Sequence, residues 1–278
     1  MKNLSNKTLE GERALFKAKD LIVEGCTFQN GESPLKESSN IEVINCTFDW
    51  KYPLWYSNDI KVTSSVLNET ARSGIWYTNN ITITDSIINA PKTFRKASNI
   101  ILNNVRIPNA LETLWGCENI TLDHVSVKGD YFIFNSKNIK VSNFRILGNY
   151  TFDSCKNIEV DNAYMDSKDA FWNCENVVVR NSTIIGEYIG WNSKNITFIN
   201  CTIESLQGFC YIENLKLINC KLPNTTLAFE YSTVEATIDS EVESIKNPIS
   251  GKIKAKKIKE IILDDESLDK GKIEIIEG

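Results

Sequence analysis

The sequence predicts an all-β fold, a single-stranded right-handed parallel β-helix of about 12 to 14 coils, each of roughly 19 to 20 residues. The first observation is a dipeptide of Asn or Asp followed by Ile, Leu or Val, which recurs at a nearly constant interval along the chain. We call the apolar member of this dipeptide the anchor. The second observation is that five of the six tryptophans lie five residues before an anchor. Residues at one phase of such a repeat stack in columns about 4.8 Å apart. The anchor pairs are Asp20-Leu21, Asn40-Ile41, Asp59-Ile60, Asn80-Ile81, Asn99-Ile100, Asn119-Ile120, Asn138-Ile139, Asn157-Ile158, Asn176-Val177, Asn195-Ile196 and Asn214-Leu215.

Each repeat is predicted to contain three short strands. The first strand starts at the anchor and is apolar at alternate positions, as in Val177-Val178-Val179 and Ile81-Thr82-Ile83. A turn follows four residues after the anchor, where stacked Asn side chains can hydrogen-bond along a column. This turn column contains Asn45, Asn104, Asn143, Asn162, Asn181, Asn200 and Asn219.

The second and third strands each contribute one apolar column, and both columns are predicted to form the core. The column seven residues after the anchor is Phe28, Phe48, Leu67, Ile88, Ile107, Val127, Ile146, Met165, Ile184, Ile203 and Leu222. The column six residues before the anchor includes Leu15, Leu35, Leu54, Ile75, Phe94, Leu114, Ile133, Phe152, Phe171 and Phe209. Three strands per coil indicate a right-handed parallel β-helix. A left-handed β-helix would need hexapeptide periodicity, and a leucine-rich repeat would need a helical segment; the sequence shows neither.

We expect a single domain over residues 1–278, because the repeat runs almost from end to end. Regular coils are predicted over 20–233, after an N-terminal cap at 1–19 and before degenerate coils and a C-terminal cap at 234–278. In the last stretch, Gly251-Lys252-Ile253 and Gly271-Lys272-Ile273 are separated by one repeat length and predict two further turns. Charged caps are expected because open ends of a β-helix expose unpaired backbone.

Charge and the N-terminal segment restrict the partners that we expect. The net charge is −5, and Lys and Arg are dispersed among Asp and Glu. Without a basic stripe to bind a phosphate backbone, nucleic acid is not an expected partner. The segment from Met1 to Asp20 contains no apolar run of the signal-peptide type, and no stretch is predicted to span a membrane. We therefore expect a cytoplasmic protein with no membrane partner.

Seven of the eight cysteines share columns with small residues and are expected to be buried free thiols. Cys26, Cys46, Cys201 and Cys220 lie five residues after the anchor, and Cys117, Cys155 and Cys174 lie three before it. The one histidine, His124, replaces Asn in the turn column, so we expect it to pack in the turn. No spacing of Cys and His fits a metal site, and we expect neither a metal nor a cofactor.

The tryptophan column is predicted to face outward, because its neighbours six residues before the anchor are in the core and strand side chains alternate. Aromatic rings beside carboxylates and cations are typical of carbohydrate-binding grooves. The predicted ligand-binding residues are Trp55, Trp76, Arg95, Trp115, Tyr150, Lys168, Trp172 and Trp191. The same outward column also contains Phe16, Lys36, Phe134, Asp153, Cys210 and Phe229. The alternative is that the tryptophan column is partly internal, or covers a loop or a partner.

Two pairs of carboxylates are candidates for catalysis. Glu112 and Asp130 lie at nearly the same phase of neighbouring coils, and so do Asp169 and Glu187. Glycoside hydrolysis uses two carboxyl groups about 5 Å apart for retention and about 6.5–9.5 Å apart for inversion. Adjacent coils allow either separation. The alternative is that Lys92, Arg95 and Lys168 neutralise these acids in ordinary surface ion pairs.

Five sequence blocks carry a resemblance to a known family. They are Glu32-Ser33-Pro34-Leu35-Lys36-Glu37, Lys51-Tyr52-Pro53-Leu54-Trp55-Tyr56, Gly74-Ile75-Trp76-Tyr77, Ala90-Pro91-Lys92-Thr93-Phe94-Arg95 and Ser167-Lys168-Asp169-Ala170-Phe171-Trp172-Asn173. With them, nearly the whole chain resembles a bacterial family known only as domain of unknown function 3737. The resemblance implies a pectate-lyase-like β-helix and a bacterial origin, and it implies no activity. The chain lacks the Asp-Asp, His and Arg-x-Lys set of galacturonan hydrolases and the Asp-rich calcium cluster of pectate lyases.

Three functions follow as hypotheses from these patterns. The first is binding of a carbohydrate or a similar polyhydroxylated ligand on the aromatic and charged face. The second is a structural or assembly scaffold, in which that face docks a protein partner or another copy of the chain. The third is a glycoside hydrolase or polysaccharide lyase that uses one of the two carboxylate pairs.

Overall fold

The computed structural model describes residues 1–278, and almost all of its regular structure is β-strand. The chain divides into two compact units, Met1–Arg145 and Ile146–Gly278. Each unit consists of parallel strands stacked turn upon turn as a β-solenoid. This architecture confirms the predicted fold class. The helical segments are two single turns of 3-10 helix, Glu69–Ala71 and Lys270–Lys272, and neither is long enough to cross a membrane.

The strands are short in most turns and longer where two runs merge across a corner. The strands of the first unit are β1 (Lys2–Ser5), β2 (Thr8–Glu10), β3 (Lys19–Glu24), β4 (Thr27–Gln29), β5 (Ser39–Ile44), β6 (Thr47–Phe48), β7 (Asn58–Thr63), β8 (Val66–Leu67), β9 (Ile75–Trp76), β10 (Asn79–Ile88), β11 (Phe94–Arg95), β12 (Ser98–Ile107) and β13 (Glu118–Lys128). Strand β14 (Lys137–Leu147) includes the boundary between the units. The strands of the second unit are β15 (Lys156–Asp166), β16 (Glu175–Arg180), β17 (Thr183–Glu187), β18 (Lys194–Ile199), β19 (Thr202–Leu206), β20 (Glu213–Cys220), β21 (Thr233–Lys246), β22 (Ser250–Ile262) and β23 (Ile273–Glu277).

The predicted repeat sets the register of the turns. Anchors pair with anchors in the first unit, for example Ile41 with Ile60 and Ile81 with Ile100. In the second unit, Val177 pairs with Ile196 in the same way. Because a slip of one residue would turn every buried side chain of a strand outward, the apolar alternation fixes this register.

The two predicted core columns fill the interior of each unit. Every member of the column seven residues after the anchor is buried, and so is every member six residues before it except half-buried Leu15. Successive aromatic residues stack along the columns: Phe28 on Phe48 at 4.6 Å, and Phe152 on Phe171 at 5.2 Å between ring centroids. All eight cysteines are free and buried, which confirms the prediction for the thiols.

Asparagine occupies the corners because the backbone there is left-handed. Asn176 and Asn195, which precede anchors, have φ of +60° and +55°, and Asn181 in the turn column has φ of +52°. Asn adopts this conformation more readily than most residues with a Cβ. The Asn195 side-chain amide also donates to the Asn176 amide oxygen at 3.0 Å. Hydrogen bonds between stacked Asn side chains therefore satisfy polar groups at the corners where the chain bends.

The single histidine takes part in a corner of the first unit, as expected. His124 has φ of +53°, and its Nδ1 lies 3.0 Å from Oδ2 of Asp123. Ser142 and Asn143 also donate hydrogen bonds to Asp123, and together with His124 they lower the pKa of its carboxyl to about 2. The bonds from Ser142 and Asn143 connect successive turns, whereas His124 contacts Asp123 within one corner.

The prediction that the tryptophan column faces outward is wrong at its last two members, Cys210 and Phe229, which are fully buried. The Phe229 ring stacks on Phe209 at 5.6 Å, so Phe229 belongs to the core column. The backbone N–H of Tyr211 donates to the carbonyl of Glu230. This bond aligns Cys210 with Glu230 of the next turn, and not with Phe229. A one-residue slip of the turn therefore accounts for the burial of Phe229, whereas Cys210 keeps its phase and is nevertheless buried.

The ends of the chain take part in the solenoid. Strand β1 lies within the predicted N-terminal cap and pairs in parallel with β3. Strand β22 pairs with β23, with Gly251 opposite Ile273 and Ile253 opposite Ile275. The two Gly-Lys-Ile segments therefore lie out of register by two residues. The single-domain boundaries at 1–278 and the two caps stay predictions.

Candidate ligand-binding face

In the first unit, the outward column forms a stack that we call the first-unit ladder: Trp55, Trp76, Arg95 and Trp115. The Trp55 and Trp76 rings are nearly parallel, with centroids 5.3 Å apart and an interplanar angle of 9°. The Arg95 guanidinium lies between the next two rings, 4.7 Å from the Trp76 centroid and 5.0 Å from that of Trp115. The ring faces within this stack are therefore covered by one another and by Arg95.

The indole N–H groups of the first-unit ladder are also occupied. Trp76 donates to the carbonyl of Lys92 at 2.9 Å, and Trp115 donates to that of Tyr131 at 2.9 Å. Trp55 donates to the carbonyl of Ser73. Because each bond joins a ring to the backbone beyond its own strand, these half-buried rings hold successive turns together.

The predicted carboxylate pair of the first unit lies in consecutive turns. The Glu112 backbone N–H donates to the Asp130 carbonyl at 3.1 Å. The Glu112 carboxylate forms ion pairs with the Lys92 ammonium at 3.1 Å and with the Arg95 guanidinium at 3.6 Å. Glu112 thus neutralises the cation of the first-unit ladder, which is the surface ion pair that the sequence offered as the alternative to catalysis.

The second unit presents its tryptophans differently. Trp172 and Trp191 lie in consecutive turns, since the Asn173 N–H donates to the Trp191 carbonyl at 3.0 Å, yet their rings do not stack on each other. Trp172 instead lies 6.2 Å from Tyr150, and Trp191 meets Tyr188 edge-on at 5.3 Å and the tilted ring of Tyr211 at 5.0 Å. Neither indole N–H has a hydrogen-bond partner in the protein, and neither is among the buried unsatisfied atoms, so both remain accessible.

Charged groups lie beside these two rings. Asp169 follows Lys168, and its backbone N–H donates to the Glu187 carbonyl of the next turn at 2.8 Å. The Lys168 ammonium pairs with the Glu187 carboxylate at 2.7 Å. Partial burial and the nearby charge of Glu187 raise the pKa of the Asp169 carboxyl, against the opposing effect of Lys168, and Asp153 adds to the rise. The hydrogen bond to Glu187 raises the pKa of Lys168. We call Tyr150, Lys168, Asp169, Trp172, Glu187 and Trp191 the second-unit cluster.

The backbone holds this cluster at a tight corner. Tyr150, Asp169 and Tyr188, in the column eight residues before the anchor, have φ between +54° and +59°. A residue with a Cβ loses roughly 1–2 kcal/mol in this conformation. Gly186 precedes Glu187, and a Cβ there would lie 2.2 Å from the Ser167 carbonyl oxygen. The absent side chain lets the two turns approach and places Glu187 next to Lys168.

Residues 2–276 match a family described as "Protein of unknown function (DUF3737)". The chain belongs to this family. The resemblance carried by the five sequence blocks is thereby confirmed. No curated protein matches the chain by sequence.

Several solved structures share the repetitive β architecture at low identity. A surface adhesin of Streptococcus pneumoniae, PfbA, is similar with a TM-score of 0.44 and 12% identity, over 80% of this chain and 71% of that one. The A-module of the Azotobacter vinelandii mannuronan C-5 epimerase AlgE4 has a TM-score of 0.32 and 9% identity, over 98% and 87%. HetL, a pentapeptide repeat protein of Nostoc, has a TM-score of 0.29 and 7% identity, over 81% and 92%. Likeness of this degree concerns the stacked β architecture alone.

The structure separates the predicted site residues into two groups. Trp55, Trp76, Arg95, Trp115, Glu112 and Asp130 belong to the first unit, and the other predicted residues form the second-unit cluster. The sequence columns could not show this difference, because both groups share the same phase. Trp50 lies outside the tryptophan column, so its phase did not mark it as a site residue. The long interval between the anchors Ile60 and Ile81 was the signal that this part of the chain is irregular.

Proposed function

We propose that the protein binds a carbohydrate or similar polyhydroxylated ligand at the second-unit cluster. The observation that carries the proposal is the contrast between the indole N–H groups: those of the first-unit ladder donate to backbone carbonyls, whereas those of Trp172 and Trp191 have no partner in the protein and remain accessible. A half-buried indole whose N–H has no partner in the protein can donate it to a ligand.

The polar groups of the second-unit cluster suit hydroxyl recognition. Two indole N–H donors and the carboxylates of Asp169 and Glu187 offer donors and acceptors within two consecutive turns. Pyranose rings present both apolar C–H faces and hydroxyl groups, so an aromatic side chain next to charged groups satisfies both kinds of surface. The repetition along the solenoid favours an extended oligosaccharide over a single sugar.

Two tryptophan substitutions test the proposal against a matched control. Trp172→Ala and Trp191→Ala are each expected to weaken oligosaccharide binding at least about 10-fold, which corresponds to roughly 1.4 kcal/mol, with little change in the thermal melt. Trp76→Ala is the control: it is expected to lower the melting temperature and to leave binding unchanged. A glycan array identifies the ligand, and titration calorimetry measures the affinity. Binding that survives both second-unit changes, or selective binding of a protein in place of glycans, would overturn the proposal.

A second candidate function is acid–base cleavage of the bound saccharide, which the position and the raised pKa of Asp169 favour. Its raised pKa lets Asp169 keep a proton at higher pH and act as general acid, while the Glu187 carboxylate, paired with Lys168 at 2.7 Å, acts as base or nucleophile. A difference in environment between two neighbouring carboxyls is the arrangement that glycoside hydrolysis requires.

A polysaccharide screen tests this second candidate. Purified protein is incubated with uronic-acid and neutral polysaccharides, and products are measured as reducing ends and by the absorbance of unsaturated sugars. Turnover is expected to fall about 10²-fold or more in Asp169→Asn and in Glu187→Gln. Glu112→Gln and Asp130→Asn provide the comparison in the first unit. Turnover that persists in both second-unit variants excludes Asp169 and Glu187 from the chemistry.

A further inference from the structure

The longest repeat of the chain builds a cavity in the first unit, with a lining that includes no member of the tryptophan column. Its anchors are Ile60 and Ile81, and every other interval between consecutive anchors from Leu21 to Leu215 is shorter. This repeat contains the 3-10 turn Glu69–Ala71. The Thr70 hydroxyl donates to the carbonyl of Asp49 and so holds this turn against the preceding coil.

The cavity has a volume of about 290 Å³, and its lining is Trp50, Lys51, Glu69, Thr70, Arg72 and Pro91. That volume is at the lower end for small-molecule sites. Trp50 is the tryptophan outside the column, and it is 37% exposed. No other aromatic ring contacts it, and the Lys51 ammonium lies 5.7 Å from its ring centroid. Trp50 therefore lines the cavity with Lys51 over its ring and with no aromatic ring stacked on it.

Of the charged groups that line the cavity, Lys51 has an ion-pair partner and Arg72 and Glu69 have none. Lys51 pairs with Glu32 at 3.2 Å, so its charge is largely neutralised. Arg72 forms no ion pair or side-chain hydrogen bond, in contrast to Lys92, which pairs with Glu112. Glu69 likewise has no partner. A guanidinium without a carboxylate, beside an indole with no aromatic ring stacked on it, fits an anionic group attached to a flat apolar ring.

We propose that this cavity is a separate binding site for a sugar ring that carries a carboxylate. Trp50 stacks on the apolar face of the ring, the Arg72 guanidinium pairs with the carboxylate, and Glu69 accepts hydrogen bonds from ring hydroxyls. The site is independent of the second-unit cluster, because it uses none of the same residues.

Matched probes test this site: a glucuronic acid oligosaccharide and the same oligosaccharide with its carboxyl groups reduced. The acidic probe is expected to bind the full chain at least about 10-fold more tightly, since a charge-assisted hydrogen bond contributes more than about 1.4 kcal/mol. Arg72→Gln is expected to abolish this preference, and Trp50→Ala to weaken both probes. Arg106→Gln, an exposed change on β12, is the control and is expected to leave both affinities unchanged.

The outcomes separate this site from the second-unit cluster. The cavity site is supported if the preference for the acidic probe persists in Trp172→Ala and Trp191→Ala and disappears in Arg72→Gln. This result holds whether or not the second-unit cluster binds a ligand. Equal affinity for both probes, binding of neither probe, or a preference unaffected by Arg72→Gln overturns it. Circular dichroism of Trp50→Ala checks that the loss is not caused by unfolding.

Discussion

At the scale of single residues, Asp169 is the group whose surroundings most clearly conflict with its charge. It is partly buried, Glu187 and Asp153 add negative potential, and only Lys168 opposes them. Lys168 is itself engaged with Glu187 at 2.7 Å and is 54% exposed, so solvent weakens its effect on Asp169. The ionised carboxyl of Asp169 is therefore less favourable in the folded protein than in the unfolded chain.

This conflict predicts a pH-dependent gain in stability for Asp169→Asn. Because the folded pKa of Asp169 is raised, the folded state binds this proton more tightly, and the residue lowers the free energy of unfolding as pH rises above the unfolded value near ~3.9. The variant should be more stable than the wild type at pH 7, and the difference should vanish at about pH 3. Urea unfolding at several pH values measures it, with Glu159→Gln on β15 as control. A gain independent of pH would show that charge is not its cause.

At the scale of elements, the outward column connects turns in the first unit. In the first-unit ladder its rings stack and donate to backbone carbonyls, so they act as connections between turns. Arg95 has a central place there, because its guanidinium lies between two indole rings and also meets Glu112 at 3.6 Å. Its Nε is buried without a hydrogen-bond partner, so stacking must offset that loss.

Replacing Arg95 with Met tests the strength of this stack. Met preserves much of the length of the side chain and removes the two cation–π contacts, so we expect a loss of about 1–2 kcal/mol in the free energy of unfolding. Arg95→Lys should recover part of the loss, because an ammonium keeps the charge and lacks the planar surface. Arg106→Met, at an exposed position, is the control. Equal stability of the wild type and Arg95→Met in denaturant unfolding would mean that the stack contributes nothing.

At the scale of the whole molecule, stability rests on stacked columns without covalent crosslinks. The core columns place apolar side chains directly above one another, and buried thiols occupy two further columns. Burial raises the pKa of the Cys117 thiol to about 12 and that of Cys210 to about 12. Since the thiolate is the reactive form, both burial and suppressed ionisation oppose reaction at neutral pH.

The thiols should therefore respond only to unfolding. Iodoacetamide at pH 7.5 is expected to modify none of the eight cysteines of the folded protein and all eight in denaturant, as measured by intact mass. Reducing agent should not change the melting temperature, because no disulfide contributes to stability. Rapid modification of a cysteine under native conditions would identify a turn that opens locally.

Repetition made the solenoid, the anchor register, the core columns and the burial of the thiols readable from the amino-acid sequence. In a repeat, a wrong pairing register would expose the equivalent apolar residue of every turn, so the apolar pattern specifies one register. The anchor Asn and the turn column were readable for the same reason, since left-handed corners recur at fixed phases. Phe229 was misassigned because the slip before Glu230 is a local event with no counterpart in the regular repeats.

The division of the outward tryptophans into those with bonded N–H groups and those with unpartnered N–H groups became visible only in the folded chain. Trp76 and Trp172 have the same phase, yet one is stacked and hydrogen-bonded while the other has an unpartnered N–H, because that difference depends on the side chains of neighbouring turns. In the same way, the long repeat was visible in the sequence, but its cavity was not. The cavity is formed by Trp50, Arg72 and Pro91, which come from different turns and meet only after the chain has folded.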